Sequence, residues 1–273
     1  MIFQVPKGIV AVKQLFTRDF RDFMKEVEIL KRISSAKHAD RHLIKLLATY
    51  ECSGQFHMVF PCAEGDLKAY WKTVNPSPIK DELLTIWMVS QCQGLAQALY
   101  QIHHYGTESP SAFMKIDSKA ARPAVKSKRT DDPANMRWFA GRHGDIKPQN
   151  ILWFPEGKHG ILKITDFGIA QFTAANQKVK EREENPAGSV TYRSPECEDP
   201  DGELTCMCDI WALGCVYLVF VAWFIGGYEQ AKRFSADRLA DGDSPYRDST
   251  NSFYTIENGR ARVKDSVVKV RHS

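Results

Sequence analysis

Apolar residues recur along the chain with two different periods, and the switches between those periods mark out its elements. Residues 9–15 (IVAVKQL) are short, β-branched and largely apolar, with Lys13 set inside the run, which predicts a buried strand. In residues 18–33, Phe20, Phe23, Val27, Leu30 and Ile33 advance by three or four positions and trace one face of a helix. Glu26 falls at the edge of that face, where a lone carboxylate is costly and calls for a cation. Residues 43–51 and 55–60 read as two strands joined by Cys52-Ser53-Gly54, the glycine supplying the freedom of a hairpin turn. Residues 61–65 break the pattern, 66–74 suggest a short helix, and 75–78 (NPSP) a loop. Across residues 81–103, Leu83, Leu84, Trp87, Met88, Leu95, Leu99 and Ile102 keep helical spacing despite Gly94, predicting a long core helix. A strand-turn-strand follows at 151–154 and 161–165, and an apolar helix at 209–224.

Residues 106–141 are different in kind. They are rich in Ser, Ala, Lys and Pro, lack sustained periodicity, and are too long for an ordinary connection, so they read as an inserted surface loop. Residues 115–142 hold eight basic and three acidic side chains, so the overall charge of +4 resides in this insert. Its only closely placed stacking residues are Trp138 and Phe139, so a solvated loop is expected there rather than a nucleic-acid site.

With 273 residues, 43% hydrophobic and 26% charged, the chain is excluded from the collagen-like, wholly disordered and disulfide-stapled classes. One large domain or two lobes fit that length. Seven cysteines without a C-x-x-C pair argue for reduced thiols and hence an intracellular, cytoplasmic or nuclear protein. Cys206 and Cys208 lack a histidine partner at finger-like spacing, so no zinc site is expected. The first residues do not resemble a secretory signal, and the longest apolar stretch, 215–227, is shorter than the about 20 residues of a membrane span.

The candidate chemistry lies in HGDIKPQN (143–150), followed 16 residues after Asn150 by Asp166-Phe-Gly168. Phosphoryl transfer from a Mg-nucleotide asks a protein mainly for positioning and neutralisation of a crowded anion. An amide oxygen and a carboxylate are hard ligands that Mg²⁺ accepts beside phosphate oxygens, and a second Asp can orient a hydroxyl nucleophile. Taken singly, each residue has a plainer reading: Lys13 as a snorkelling strand residue, Asp145 and Asn150 as turn caps, and Glu26 as half of a solvated helix pair.

In their joint order these residues resemble the eukaryotic protein kinase family, with its H-R-D-L-x-x-x-N loop and D-F-G triplet. Val-Ala-Val-Lys13 resembles the family's V-A-I-K strand, Glu26 its helix carboxylate, GSVTYRSPE (188–196) the end of its activation segment, and DIWALG (209–214) the helix that anchors the catalytic loop. The resemblance runs from about residue 9 to 227 and weakens over 233–268. It implies an α+β, bilobal fold: residues 1–62 a small β-rich lobe lacking the first strands, and residues 63–273 a larger helical lobe.

By the same resemblance, Lys13 contacts the α- and β-phosphates of ATP and pairs with Glu26, while Phe60, Pro61, Cys62 and Ala63 form the adenine-binding hinge. Asp145 orients the substrate hydroxyl, and Asn150 and Asp166 bind Mg²⁺. Lys147 marks the serine/threonine version of the loop and steadies the transferred phosphoryl group, so the implied partner is a protein substrate carrying Ser or Thr.

The departures set further expectations. Twelve residues precede Lys13 where the family has a glycine-rich loop and two strands, so a chain truncated at both ends and an unpaired sheet edge are expected. Gly144 stands where the family commonly has Arg, which removes the usual partner of a phosphorylated Thr173, Ser189 or Thr191. Thr191 is expected in the substrate-side floor, and Glu196 to be costly if buried without an arginine. The alternative to an active kinase is a pseudokinase or scaffold that binds nucleotide or partners with little turnover.

Overall fold

The computed structural model of the chain describes residues 2–5, 8–15, 20–34, 40–104, 139–174, 189–198, 204–241, 251–257 and 259–269. Most of the basic insert read at 106–141 lies outside the described residues.

The first lobe is built on β1 (Ile2–Val5), β2 (Gly8–Gln14), α1 (Phe20–Ile33), β3 (Ala48–Cys52) and β4 (Gln55–Pro61). The four strands form an antiparallel sheet in the order β1-β2-β4-β3. A strand therefore does precede the lysine strand: Ile2 pairs with Ala11 and Phe3 with Val10, so β2 is not the open edge that the sequence suggested. Helix α1 buries Phe23, Val27, Leu30 and Ile33 against the sheet, while Phe20 is more than half exposed. Phe23 stacks on Phe56 of β4 with ring centroids 4.6 Å apart.

The run predicted as a strand at 43–51 is shorter than expected. Leu43 makes an isolated parallel bridge to Ile164, residues 44–47 are irregular, and only Ala48–Cys52 joins the sheet. Apolar residues at 43 and 44 are explained by burial under the second lobe rather than by strand pairing.

The second lobe opens with β5 (Gly65–Asp66) and α2 (Leu67–Ala69), which continues as one π-helical turn, Tyr70–Val74. Helix α3 (Glu82–His103) is capped by Asp81, whose carboxylate accepts the Leu84 N–H. It buries Leu84, Trp87, Leu95, Leu99 and Ile102, but Leu83 points to solvent. Gln91 fixes α3 to the strands beneath by accepting the Leu162 N–H at 2.9 Å, and Gly94 leaves the space that the buried His42 ring fills. Strand β6 (Phe139–Arg142) pairs with β9 (Gln171–Ala174), so the last residues of the predicted insert are strand. Strands β7 (Ile151–Phe154) and β8 (Ile161–Ile164) form the predicted strand-turn-strand and pair with β5.

Helix α4 (Met207–Ala240) runs well past the predicted end, with a break at Gly226 and Gly227. Gly227 has φ +72°, and a β-carbon there would strike the Pro76 carbonyl, which also accepts the Tyr228 N–H at 2.8 Å. By length and composition alone α4 could cross a membrane, but half of its apolar window is buried inside the protein. Phe220 and Trp223 are fully buried, and the Trp223 indole donates to the Asn75 carbonyl, so α4 is a core helix. A hairpin of β10 (Tyr254–Glu257) and β11 (Arg260–Val263) and the short α5 (Asp265–Lys269) close the described chain. Arg238 of α4 is buried between the rings of Phe234 and Phe253 and donates to the Asn251 carbonyl.

Candidate active site

Strand β2 carries Lys13 and α1 carries Glu26. The apolar face of α1 is pinned to the sheet, which turns Glu26 inward and buries it. Lys13 Nζ lies 2.7 Å from Glu26 Oε1 and 2.8 Å from Asp166 Oδ1, so one ammonium bridges two carboxylates from distant parts of the chain. Burial alone would lower the pKa of Lys13, but Glu26 and Asp166 outweigh it and hold the pKa above its ordinary value. Burial likewise pushes Asp166 up, and Lys13 more than reverses this, leaving its carboxyl below the usual range. Asp166 has φ +67°, an uncommon left-handed conformation for a residue with a side chain. The buried Phe167 ring beside it packs on the His143 imidazole, centroids 5.0 Å apart.

The loop between β6 and β7 carries Asp145, Lys147 and Asn150, the last in a 3-10 turn, Pro148–Asn150. Asp145 Oδ2 accepts from Lys147 Nζ at 2.6 Å and from Asn150 Nδ2 at 2.9 Å, while Oδ1 accepts the Ser189 N–H at 3.0 Å. With its amide nitrogen committed to Asp145, Asn150 has its amide oxygen left for a cation.

Below this loop, the buried Asp209 of α4 accepts the backbone N–H groups of His143 at 2.7 Å and Gly144 at 2.8 Å. It also meets His103 Nε2 at 3.0 Å. Burial raises the Asp209 pKa, and these partners together bring it below the usual carboxylate range. Gly144 has φ +85°, a conformation that favours glycine, which is a local reason for its place in the loop.

His143 connects the two groups of residues. Its Nε2 donates to the Thr165 carbonyl at 3.0 Å, just before Asp166, and Thr165 N–H in turn donates to the Asn150 carbonyl. Above lies a cavity of about 420 Å³, lined by Lys13, Glu26, Asp166, the whole 60–63 segment, Ala11, Val12 and Leu152. The β2–β4 register, with Lys13 opposite Met58 and Val10 opposite Pro61, carries the chain from the lysine into that segment. A cavity of this size lies within the range of about 300–1,000 Å³ that small-molecule sites occupy.

Lys13, Glu26 and Asp166 thus form one hydrogen-bonded group and Asp145, Lys147 and Asn150 another, the two being linked through Thr165, while residues 60–63 line the cavity. The sequence reading did not find His103 or Leu152, and it named Ser189 only as a phosphorylation candidate. Ser189 contributes a backbone N–H, which no residue type advertises. Leu152 carried a faint signal, lying two residues beyond Asn150 on a strand. Thr191 bonds to Asn251 through its hydroxyl, and Glu196 is exposed, so the cost expected for burying that carboxylate does not arise.

Residues 141–232 match the family model for the protein kinase domain. The serine/threonine-protein kinase chk-2 of Caenorhabditis elegans is 40% identical over 78 residues, which are 28% of this chain and 15% of that protein. The glycogen synthase kinase-3 homolog YGK3 of Saccharomyces cerevisiae is 42% identical over 124 residues, 45% of this chain and 29% of that protein. A probable cyclin-dependent kinase 8 of Dictyostelium discoideum is 41% identical over 76 residues, 28% and 20% of the two chains. The matched segments thus span between 15% and 29% of these relatives. Over residues 141–232, therefore, the chain is similar to the protein kinase domain, and the relatives that it matches are themselves named as protein kinases. Its α+β architecture, a small antiparallel sheet with one helix above a larger helical lobe, is the bilobal kinase fold.

Proposed function

We propose that the chain transfers the γ-phosphate of ATP to Ser or Thr hydroxyls of protein substrates inside the cell. The observation that carries this reading is the Lys13 ammonium held between Glu26 and Asp166 at the wall of the cavity. Such a fixed cation suits the phosphates of a nucleotide whose base occupies the 60–63 end of the same cavity.

The donor set also fits Mg²⁺: the Asn150 amide oxygen and the Asp166 carboxylate are hard oxygen ligands, and few protein ligands suit an ion that keeps waters and phosphate oxygens. When bound, Mg²⁺ neutralises charge on the phosphates. Asp145 receives the proton of the attacking hydroxyl. Lys147, on the same carboxylate, lies where its charge can meet the transferred phosphoryl group. Asp209 and His143 hold the loop in place, and Ser189 ties the substrate side to Asp145.

The test is γ-phosphate transfer to a generic basic protein, with Asp145→Ala as control. Transfer by the wild type that falls by about 10²-fold or more in the variant is expected. Equal signal from both overturns the mechanism, and nucleotide-dependent thermal stabilisation without any transfer assigns the site to binding alone.

A further inference from the structure

On the far side of Asp145 from the nucleotide cavity, two cysteines meet. Cys197 ends the 3-10 turn Pro195–Cys197, and Cys208 lies in the first turn of α4, next to Asp209. Both line a small cavity that also reaches Gly144, Asp145 and Ser194. The two thiols lie close enough there to perturb each other's ionisation, and the Ser194 hydroxyl, which lines the same cavity, approaches the Cys197 sulfur at 3.6 Å. Cys208 is buried, whereas Cys197 is partly open to solvent. This sets an accessible sulfur over a sheltered one.

We propose that Cys197 and Cys208 are a redox pair, closed to a disulfide by hydroperoxides, that acts on the substrate side of the site. The Cys197 thiolate attacks a peroxide oxygen: an S–O bond forms, the O–O bond breaks, and the leaving oxygen takes a proton to depart as water or an alcohol. Cys208 then loses its proton and attacks the sulfenic sulfur; the S–S bond forms and the hydroxyl leaves as water. Two thiols are oxidised by two electrons and one O–O bond is reduced, with no further reactant.

The surroundings prepare the first step. The neighbouring Cys208 thiol holds the Cys197 pKa below its ordinary value against the opposing effect of burial, with Ser194 and Arg193 adding to it. The same contact pushes the Cys208 thiol up, so Cys208 keeps its proton until the second step. The lowered pKa favours the Cys197 thiolate, the form that reacts.

Closing the bond shortens the sulfur separation to about 2.05 Å, which draws the 195–197 turn toward α4. That movement acts beside Asp209, which holds His143 and Gly144, and beside Ser194, while the cavity around Lys13 lies elsewhere. Weaker engagement of a protein substrate with unchanged nucleotide binding follows. The effect on transfer rests on the proposed kinase activity; the disulfide does not.

The experiment treats the whole chain with hydrogen peroxide at pH 7, alkylates remaining thiols, and identifies linked peptides by mass spectrometry without reduction. A Cys197–Cys208 link that dithiothreitol removes, absent from Cys197→Ser and Cys208→Ala, is expected. Oxidation of exposed Cys52 while the pair stays reduced, or conversion of Cys197 to a sulfinic acid without a link, overturns the proposal. On the linked protein, kcat/KM for a protein substrate should fall about tenfold or more and recover with reductant, with the ATP-induced thermal shift retained. Cys208→Ala should keep its transfer rate through peroxide treatment. If the linked and reduced proteins transfer equally well, the switch is overturned. A chain that transfers nothing even when reduced speaks against the kinase reading, while the peptide map still decides the disulfide.

Discussion

The imidazole of His143 accepts the backbone N–H of Asp145 at 3.2 Å through Nδ1, while its Nε2 donates to Thr165. Both bonds hold only for the neutral ring with its hydrogen on Nε2, because a proton on Nδ1 would turn the acceptor into a second donor facing an N–H. Burial holds the His143 pKa below its ordinary value of 6.5, despite the nearby carboxylates of Asp209, Asp145 and Asp166. The unfolded chain therefore takes up the proton first. The stabilisation is complete above about pH 6.5 and is lost as pH falls below it. His42, also lowered by burial, adds a slope of the same sign. Thermal midpoints measured from pH 8 to 5 should fall steadily below 6.5, and His143→Asn should be less stable at pH 8 but show a flatter profile. An unchanged slope in that variant removes His143 from the account.

Lys13 and Glu26 give a stability prediction that does not depend on activity. Lys13→Met leaves the buried Glu26 carboxylate without its ammonium, whereas Lys13→Met with Glu26→Leu removes both charges. Because the Lys13 side chain is 35% exposed, the single change should cost only about 1–2 kcal/mol. The double variant should recover about 1 kcal/mol relative to the sum of the two single changes. Urea unfolding of the nucleotide-free protein measures this cycle, and strict additivity would mean that the pair is not coupled.

The elements that were legible in the sequence are those whose burial follows a local period: α1, α3, the start of α4, and the β7–β8 pair. Misreadings occurred where a distant partner decides the outcome. Leu43 is apolar because it sits under Ile164, not because it belongs to a long strand, and Phe139–Arg142 becomes a strand only by pairing with Gln171–Ala174. The residues of the candidate site were readable because the proposed phosphate and metal chemistry would demand particular side chains in order. The framework behind them was less so. His103 reaches Asp209 across 106 positions, and Ser189 acts through its backbone, neither of which leaves a mark in residue type.

Asp209 should therefore be as necessary for transfer as residues nearer the nucleotide, although it lines no part of the cavity around Lys13. Both of its oxygens are in use: Oδ1 accepts from Gly144, and Oδ2 accepts the His143 N–H and meets His103. In Asp209→Asn one of those positions becomes an NH₂ group that faces a donor, so at least one buried N–H loses its acceptor and a charge-assisted bond is gone. The two effects together should cost about 2–4 kcal/mol of stability. Released from α4, residues 143 and 144 no longer fix Asp145, and a displacement of about 1 Å is enough to lower kcat by about 10²-fold. The cavity walls are untouched, so the ATP-induced thermal shift should survive. Measuring kcat together with that shift separates loop positioning from general unfolding: if both are lost in proportion, Asp209 serves only the stability of the lobe.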